Sequence, residues 1–214
     1  MNCQRLSNIL LTESTKYRYV PCTIYCVAVL KFTEHDHLAT APRPTMLAAP
    51  IPANDKERLA ALRALLILDT PPEERYDRIV RFAAEEFGVP IALLSLVDEN
   101  RQWFKARVGI DACETQRDIS FCGHAIVQPD IFVIPDARQD PRFADNPVVT
   151  GEPPVIFYAG APLLEPSGHA IGTLCLVDHE PRILDATELA ILASLRDLLQ
   201  EELSGELPEG ERDA

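Results

Sequence analysis

The sequence predicts an α+β fold, built as one antiparallel sheet with helices at both ends of the folded region. Two observations carry this. Strand-length apolar or alternating runs pair off across turns, at 90–97 with 101–108 and at 155–164 with 170–177. Helical periodicity flanks them: Leu59, Leu62, Leu65 and Leu66 come before, and Leu189, Leu192, Leu195, Leu199 and Leu203 come after. Helices at the sequence ends and hairpins between them place the terminal helices on one face of the sheet. The loop-rich middle of the chain is left for the other face.

Each element has a local reason. The first helix starts at Asn54 or Asp55. Thr70-Pro71-Pro72-Glu73 reads as a capping box with Pro at the first helical position, opening a helix that ends at Phe87-Gly88. That helix sets Tyr76, Ile79, Val80, Ala83 and Phe87 on one face. Pro90 to Val97 is a buried strand, Asp98-Glu99-Asn100 a turn, and Arg101 to Val108 a second strand. A loop runs to Asp118, followed by a short helix through Ser120–Val127 and a short strand at Ile131–Ile134. The stretch from Pro135 to Pro154 reads as loop, with one helical turn near Phe143. A hairpin through Glu165-Pro166-Ser167-Gly168 follows, and Asp185-Ala186-Thr187-Glu188 is a second capping box that opens the last helix.

Charge is distributed unevenly along the chain. Lys and Arg number 20 against 33 Asp and Glu in 214 residues, a net −13. Residues 1–50 carry five basic against three acidic side chains, and the remainder fifteen against thirty. An acidic body repels phosphate backbones and anionic lipid, so neither nucleic acid nor membrane is an expected partner. No apolar run reaches the ~18 residues of a membrane span. Val20 to Leu30 lacks the flanks of a secretory signal, and six Cys at irregular spacing do not form a disulfide framework. A cytoplasmic protein is expected.

Residues 1–53 read as an N-terminal extension and linker, with Met46 as a candidate natural start. Residues 54–203 form the domain, and 204–214 an acidic, disordered tail. Cys22 and Cys26 with His35 and His37 have the wrong spacing for a zinc finger, and no metal site is assigned.

Several phrases resemble the GAF domain, a small sensory module found at the front of bacterial sensor kinases and cyclic-di-GMP enzymes. They are Leu68–Arg75, Ser95–Asp98, Arg101–Ala106, Ser120–Ile126, Pro135–Ala137, Asp140–Phe143, Phe157–Leu163 and Gly172–Cys175. The resemblance implies a GAF fold and a module that binds a small molecule or responds to redox state. It also implies that the signal passes through the terminal helices, that the module forms a homodimer through them, and that its partner is a histidine kinase or a cyclic-di-GMP enzyme. No phosphoacceptor helix or cyclase signature follows Leu203, so the chain reads as a free-standing GAF domain or a piece of something longer. Gly123 separates Cys122 from His124, against bilin attachment, and the Asn-Lys-Phe-Asp-Glu signature of cyclic-nucleotide GAF domains is missing. The ligand and any cofactor stay open.

The expected ligand-binding residues are Trp103, Phe121, Cys122, His124, Asp136, Arg142, Phe143 and Tyr158. No catalytic residue is assigned. Cys122 and His124 form either a reactive thiolate–imidazole pair or a buried Cys beside a hydrogen-bonded His, since positions i and i+2 of a helix face apart. Cys175 reads as an inert core thiol, and a Cys122–Cys175 redox pair requires close Cβ atoms. Trp103 lines the pocket or anchors the core. Arg142, with Asp136 and Asp140, holds an anion or forms an internal ion pair. Alternatives to the sensory reading are a thiol-dependent reductase of free methionine sulfoxide and a purely structural dimerisation module.

Overall fold

A computed structural model describes residues 46–205 of the chain. The expectations for Met46 as a start, for the Cys22–His37 segment and for the tail beyond Gly205 fall wholly or partly outside these residues. The elements are α1 (Asp55–Ala64), α2 (Glu74–Phe87), β1 (Ile91–Val97), β2 (Arg101–Val108), β3 (Glu114–Gln116) and α3 (Phe121–Ala125). They continue as β4 (Phe132–Ile134), α4 (Pro147–Thr150), β5 (Phe157–Leu164), β6 (Ala170–Asp178) and α5 (Ala186–Ser204). The six strands form one sheet in the order β3-β2-β1-β6-β5-β4, with every pairing antiparallel. The α+β architecture is the one the sequence predicts. No described helix is long and apolar enough to cross a membrane.

Two cores follow from the alternation of side chains along the central strands. On one face Ala92, Leu94, Leu96, Leu174 and Leu176 meet Leu62 of α1, Val80 and Ala83 of α2, and Leu192, Leu195 and Leu199 of α5. On the other, Leu93, Val97, Phe104, Tyr158 and Cys175 meet Phe121, Cys122 and Ala125 of α3 with Phe143 and Val149. Both faces of β1 are covered, which is why it reads as an unbroken apolar run.

The two helix-start signatures diverge. At α5 the capping box forms: Asp185 Oδ1 accepts from the amides of Thr187 and Glu188 at 2.7 and 2.9 Å, and the Asp185 amide donates to Glu188 Oε2 at 2.7 Å. At α2 it does not, correcting the expectation. The helix begins only at Glu74, with no side-chain cap. The cause lies in β2, where a bulge opposite Leu94 and Ser95 leaves Lys105 unpaired between Phe104 and Ala106. Its buried ammonium turns to the helix side and needs acceptors. It takes Thr70 Oγ1 at 2.6 Å, the Pro71 carbonyl at 2.7 Å and Glu73 Oε1 at 2.6 Å. Thr70 and Glu73 therefore serve the lysine instead of the helix end.

Other ties fix the outer helices. Asp55 accepts Arg58 Nε at 2.8 Å and both Arg117 Nη atoms at 2.9 Å, and Arg58 Nη1 reaches the Val97 carbonyl. This joins α1 to the end of β1 and to the loop before α3. Arg182, just ahead of α5, donates to the Phe87 and Gly88 carbonyls that end α2. Arg78 near the start of α2 pairs with Glu202 near the end of α5 at 2.6 Å. Helices α2 and α5 thus run antiparallel.

Three further points differ from the sequence reading. The short strand β3 and the single turn α4 lie in segments read as loop. The turn near Phe143 is present, as a turn rather than a helix. The segment at Leu47–Ala49, read as a linker, is packed down: the Ala49 amide donates to the Asp118 carbonyl at 3.0 Å, and Ala49 is buried against Gly123 of α3. A side chain at position 123 would collide with Ala49 and with Ser120.

Candidate functional site

Between the sheet and α3 lies a cavity of about 90 Å³. Its floor is Ile91, Leu93, Gln102, Phe104, Tyr158, Cys175 and Val177 from the sheet, and α3 supplies Phe121 and Cys122. Its rim is Ile110, Thr115, Ile119, Val148 and Val155, all part-exposed, so this side is the mouth.

Two caps hold α3 and α4, which cover the cavity as its lid. Ser120 Oγ accepts the Gly123 amide at 3.0 Å and starts α3. Asn146 Oδ1 accepts the Val148 amide at 3.0 Å and starts α4, while Asn146 Nδ2 donates to the Ile119 carbonyl at 3.0 Å. Behind them Phe121 stacks on Phe143 (ring centroids 4.1 Å, 10° between planes) and on Tyr158 (5.1 Å).

At the floor, polar groups meet in an otherwise apolar region. Tyr158 and Gly160 are neighbours on one face of β5, and the Tyr158 phenol lies across the space a side chain at 160 would occupy. Its hydroxyl donates to Cys122 Sγ at 3.4 Å. Cys122 Sγ in turn lies 3.8 Å from Cys175 Sγ, and both thiols are free. Gln102 accepts from Ser95 Oγ at 3.3 Å and donates to Thr115 Oγ1 at 2.6 Å. The Thr173 hydroxyl is buried without a partner of normal hydrogen-bond length.

These neighbours act on the thiols. Burial pushes the Cys122 thiol up, but the polar groups that face it, Cys175 first and then the Thr173, Tyr158 and Ser95 hydroxyls, outweigh it and bring Cys122 down to about 6. The proton is held at the partner. The hydrogen bond with Cys122, then burial, raise Cys175 well above the ordinary thiol range. Burial and the adjacent Cys122 charge do the same to the Tyr158 phenol. Of the two thiols, Cys122 is the one whose ionisation its neighbours favour, and the Tyr158 hydroxyl is a donor to its sulfur.

Of the eight expected residues, Phe121, Cys122 and Tyr158 line the cavity. Phe143 and His124 lie behind it. The His124 ring meets Phe143 edge-on at 4.8 Å, and Nε2 faces the Leu47 carbonyl at 3.3 Å. A carbonyl only accepts, so Nε2 carries the proton. Cys122 and His124 point apart, as helical spacing requires. Arg142 pairs with Asp140 at 2.6 Å and covers the Phe132 and Phe143 rings, 5.0 and 5.4 Å from their centroids. Asp136 is not part of that pair. It binds Arg138 at 2.8 Å and borders a separate surface groove.

Trp103 is the clear displacement. It packs in the helix-side core, because Gln102 and Phe104 take the cavity face of β2. Among the cavity residues that the sequence reading missed are Gln102, Thr115 and Cys175, with Ser95 and Thr173 beside them. Their signal was strand parity and two hydroxyl residues inside apolar strands. A wider groove of about 540 Å³ runs over Arg63, Asp98, Arg101 and Glu114, but these ionic groups are already paired with one another.

The GAF domain family profile matches residues 71–203. The chain belongs to the GAF domain family. A cyclic di-GMP phosphodiesterase of Pseudomonas aeruginosa is 44% identical over 137 residues, 64% of this chain. The chain spans 23% of that relative's length. Among solved structures, the GAF domain of an Acinetobacter phosphoenolpyruvate-protein phosphotransferase superposes with a TM-score of 0.52 at 19% identity, over 73% of this chain and 98% of that one. A free methionine-R-sulfoxide reductase from Neisseria meningitidis gives 0.49 at 21% identity, over 75% and 99%.

Proposed function

We propose that this GAF domain is the input module of a cytoplasmic signalling system: its cavity takes a small molecule or registers redox state, and α2 and α5 carry the result onward. The observation that carries the reading is the cavity itself. It lies on the face of β1 and β6 opposite to the packing surface of α2 and α5. Filling it stabilises one arrangement of the shared strands, which is all a ligand needs in order to bias the helices on the far side.

Size limits the ligand. At about 90 Å³ the cavity is well below the ~300 Å³ of common ligand pockets. A ligand of a few heavy atoms fits as it stands, and anything larger extends through the mouth or parts α3 and α4 from the sheet. A cyclic dinucleotide belongs to the partner and not to this cavity. The Pseudomonas relative supports a partner in cyclic-di-GMP signalling; a histidine kinase is the other class the family resemblance suggests. The lining holds no carboxylate or ammonium group to grip a zwitterionic amino acid, which favours a sensor over a reductase of free methionine sulfoxide.

Native mass spectrometry of protein from its own host, beside a denatured sample, tests the ligand. A reproducible extra mass lost on denaturation identifies a bound small molecule. A bare mass in every preparation, with no shift on adding small apolar candidates, overturns ligand binding.

A further inference from the structure

We propose that Cys122 and Cys175 close into a disulfide on exposure to small hydroperoxides, so that the cavity floor is a redox switch. The inference deepens the reading of the cavity as an input site by naming one signal, and it stands on geometry.

The two sulfurs already sit 3.8 Å apart on packed elements, α3 and β6. A disulfide needs ~2.05 Å, so the sulfurs must approach by roughly 2 Å, through rotation of the two side chains together with settling of α3 toward the sheet. Both sulfurs border the cavity, whose mouth is the part-exposed rim. That opening selects the oxidant: hydrogen peroxide fits a space of about 90 Å³, and a tripeptide disulfide does not. Cys122 is the attacking thiolate, held by the Tyr158 hydroxyl at 3.4 Å. The unpartnered Thr173 hydroxyl is available to the hydroxyl of a sulfenic acid.

The chemistry balances. The Cys122 thiolate attacks the terminal peroxide oxygen; an S–O bond forms, the O–O bond breaks, and the departing hydroxide takes a proton to become water. Cys175 sulfur then attacks the sulfenic sulfur; the S–S bond forms, the S–O bond breaks, and the leaving hydroxide takes the Cys175 proton as a second water. Two thiols lose two electrons and one peroxide gains them.

Settling of α3 also reaches the N-terminal side of the domain. His124 and Gly123 hold Leu47 and Ala49, and these precede α1. A change at the floor therefore reaches the chain leading into the outer helices.

The test uses the full chain, reduced and then exposed to hydrogen peroxide. Free thiols are alkylated in denaturant and the protein is cut with trypsin without reductant. The expected product links Asp118–Arg138 to Phe143–Arg182, and dithiothreitol reverses it. In Cys175→Ala, Cys122 is expected to accumulate a dimedone-reactive sulfenic acid. In Tyr158→Phe, linkage is expected to slow by about tenfold at pH 7, from loss of one hydrogen bond to the thiolate. Recovery of Cys122 and Cys175 both alkylated, with oxidation only at other cysteines such as exposed Cys113, overturns the proposal. So does an unreactive Cys122 in the folded Cys175→Ala protein. Native mass spectrometry stands apart from these readouts, so ligand binding and the redox switch fail separately.

Discussion

Tyr158 and Gly160 constrain each other more tightly than their ordinary names suggest. The phenol reaches Cys122 only because position 160 has no side chain under it. Gly160→Ala is expected to destabilise the domain by about 1–3 kcal/mol, the usual cost of forcing extra volume into a packed core. It should also raise the Cys122 thiol pKa as the hydroxyl moves off. Urea unfolding and the pH dependence of iodoacetamide labelling read the two effects. A stable protein with unchanged thiol titration would mean that Tyr158 does not set the thiolate. His124 supplies a pH test. Burial, more than its Leu47 contact compensates, holds the imidazole below its ordinary value. The unfolded chain therefore binds the proton first, so stability is full above about 6.5, the ordinary imidazole value, and falls as pH drops through the lower folded value. His124→Gln is expected to flatten that part of the stability–pH curve, as measured by urea midpoints between pH 5 and 8. The sequence could not choose between the readings of His124, because the carbonyl that holds it comes from a segment 77 residues away.

At the scale of elements, two similar signatures met different fates. Asp185–Glu188 caps α5 because nothing else claims those side chains. Thr70 and Glu73 are claimed by Lys105, delivered by a bulge that local sequence does not announce. The consequence is an asymmetry in mutational cost. Asp185→Ala is expected to cost about 1 kcal/mol, the value of one helix cap. Glu73→Ala is expected to cost more, about 3 kcal/mol, because it strips the anionic partner from a buried ammonium. Equal costs in chemical denaturation would mean that Glu73 is only a helix-end residue. The same contrast explains what was legible. Strands and long helices follow from periodicity within each segment: all four long strands and the three outer helices were found, with the start of α2 read three residues too early. The three-residue β3 and the single turn α4 have too little sequence for a period, and they exist because the sheet edge and the Asn146 cap hold them. Trp103 was left between pocket and core, and alternation along β2, with Gln102 and Phe104 facing the cavity, is what sends it to the helix-side core.

For the whole molecule, the leucine stripes pose a matter of coverage. The sequence offered more apolar residues on the terminal helices than one sheet face needs. Leu192, Leu195 and Leu199 are buried on that face, yet Leu198 on α5 and Phe82 on α2 remain about half exposed, at 48% and 49%. The antiparallel arrangement fixes where they lie. Arg78 meets Glu202, and Phe82 is four residues on from Arg78 while Leu198 is four back from Glu202, so both fall along one α2–α5 seam. A second copy of this domain is the proposed occupant. A homodimer packed along that seam would join the two helices on the sheet face opposite the cavity to the same helices of the partner, and a shift in one domain would be felt by both. Size-exclusion chromatography with light scattering is expected to show a dimer at tens of micromolar. Phe82→Glu and Leu198→Glu should each shift it to monomer and give the urea midpoint of the parent protein diluted to monomer, since neither side chain belongs to the core. A monomeric parent protein would remove the helices' role as a dimer seam and leave them as the surface for a different partner.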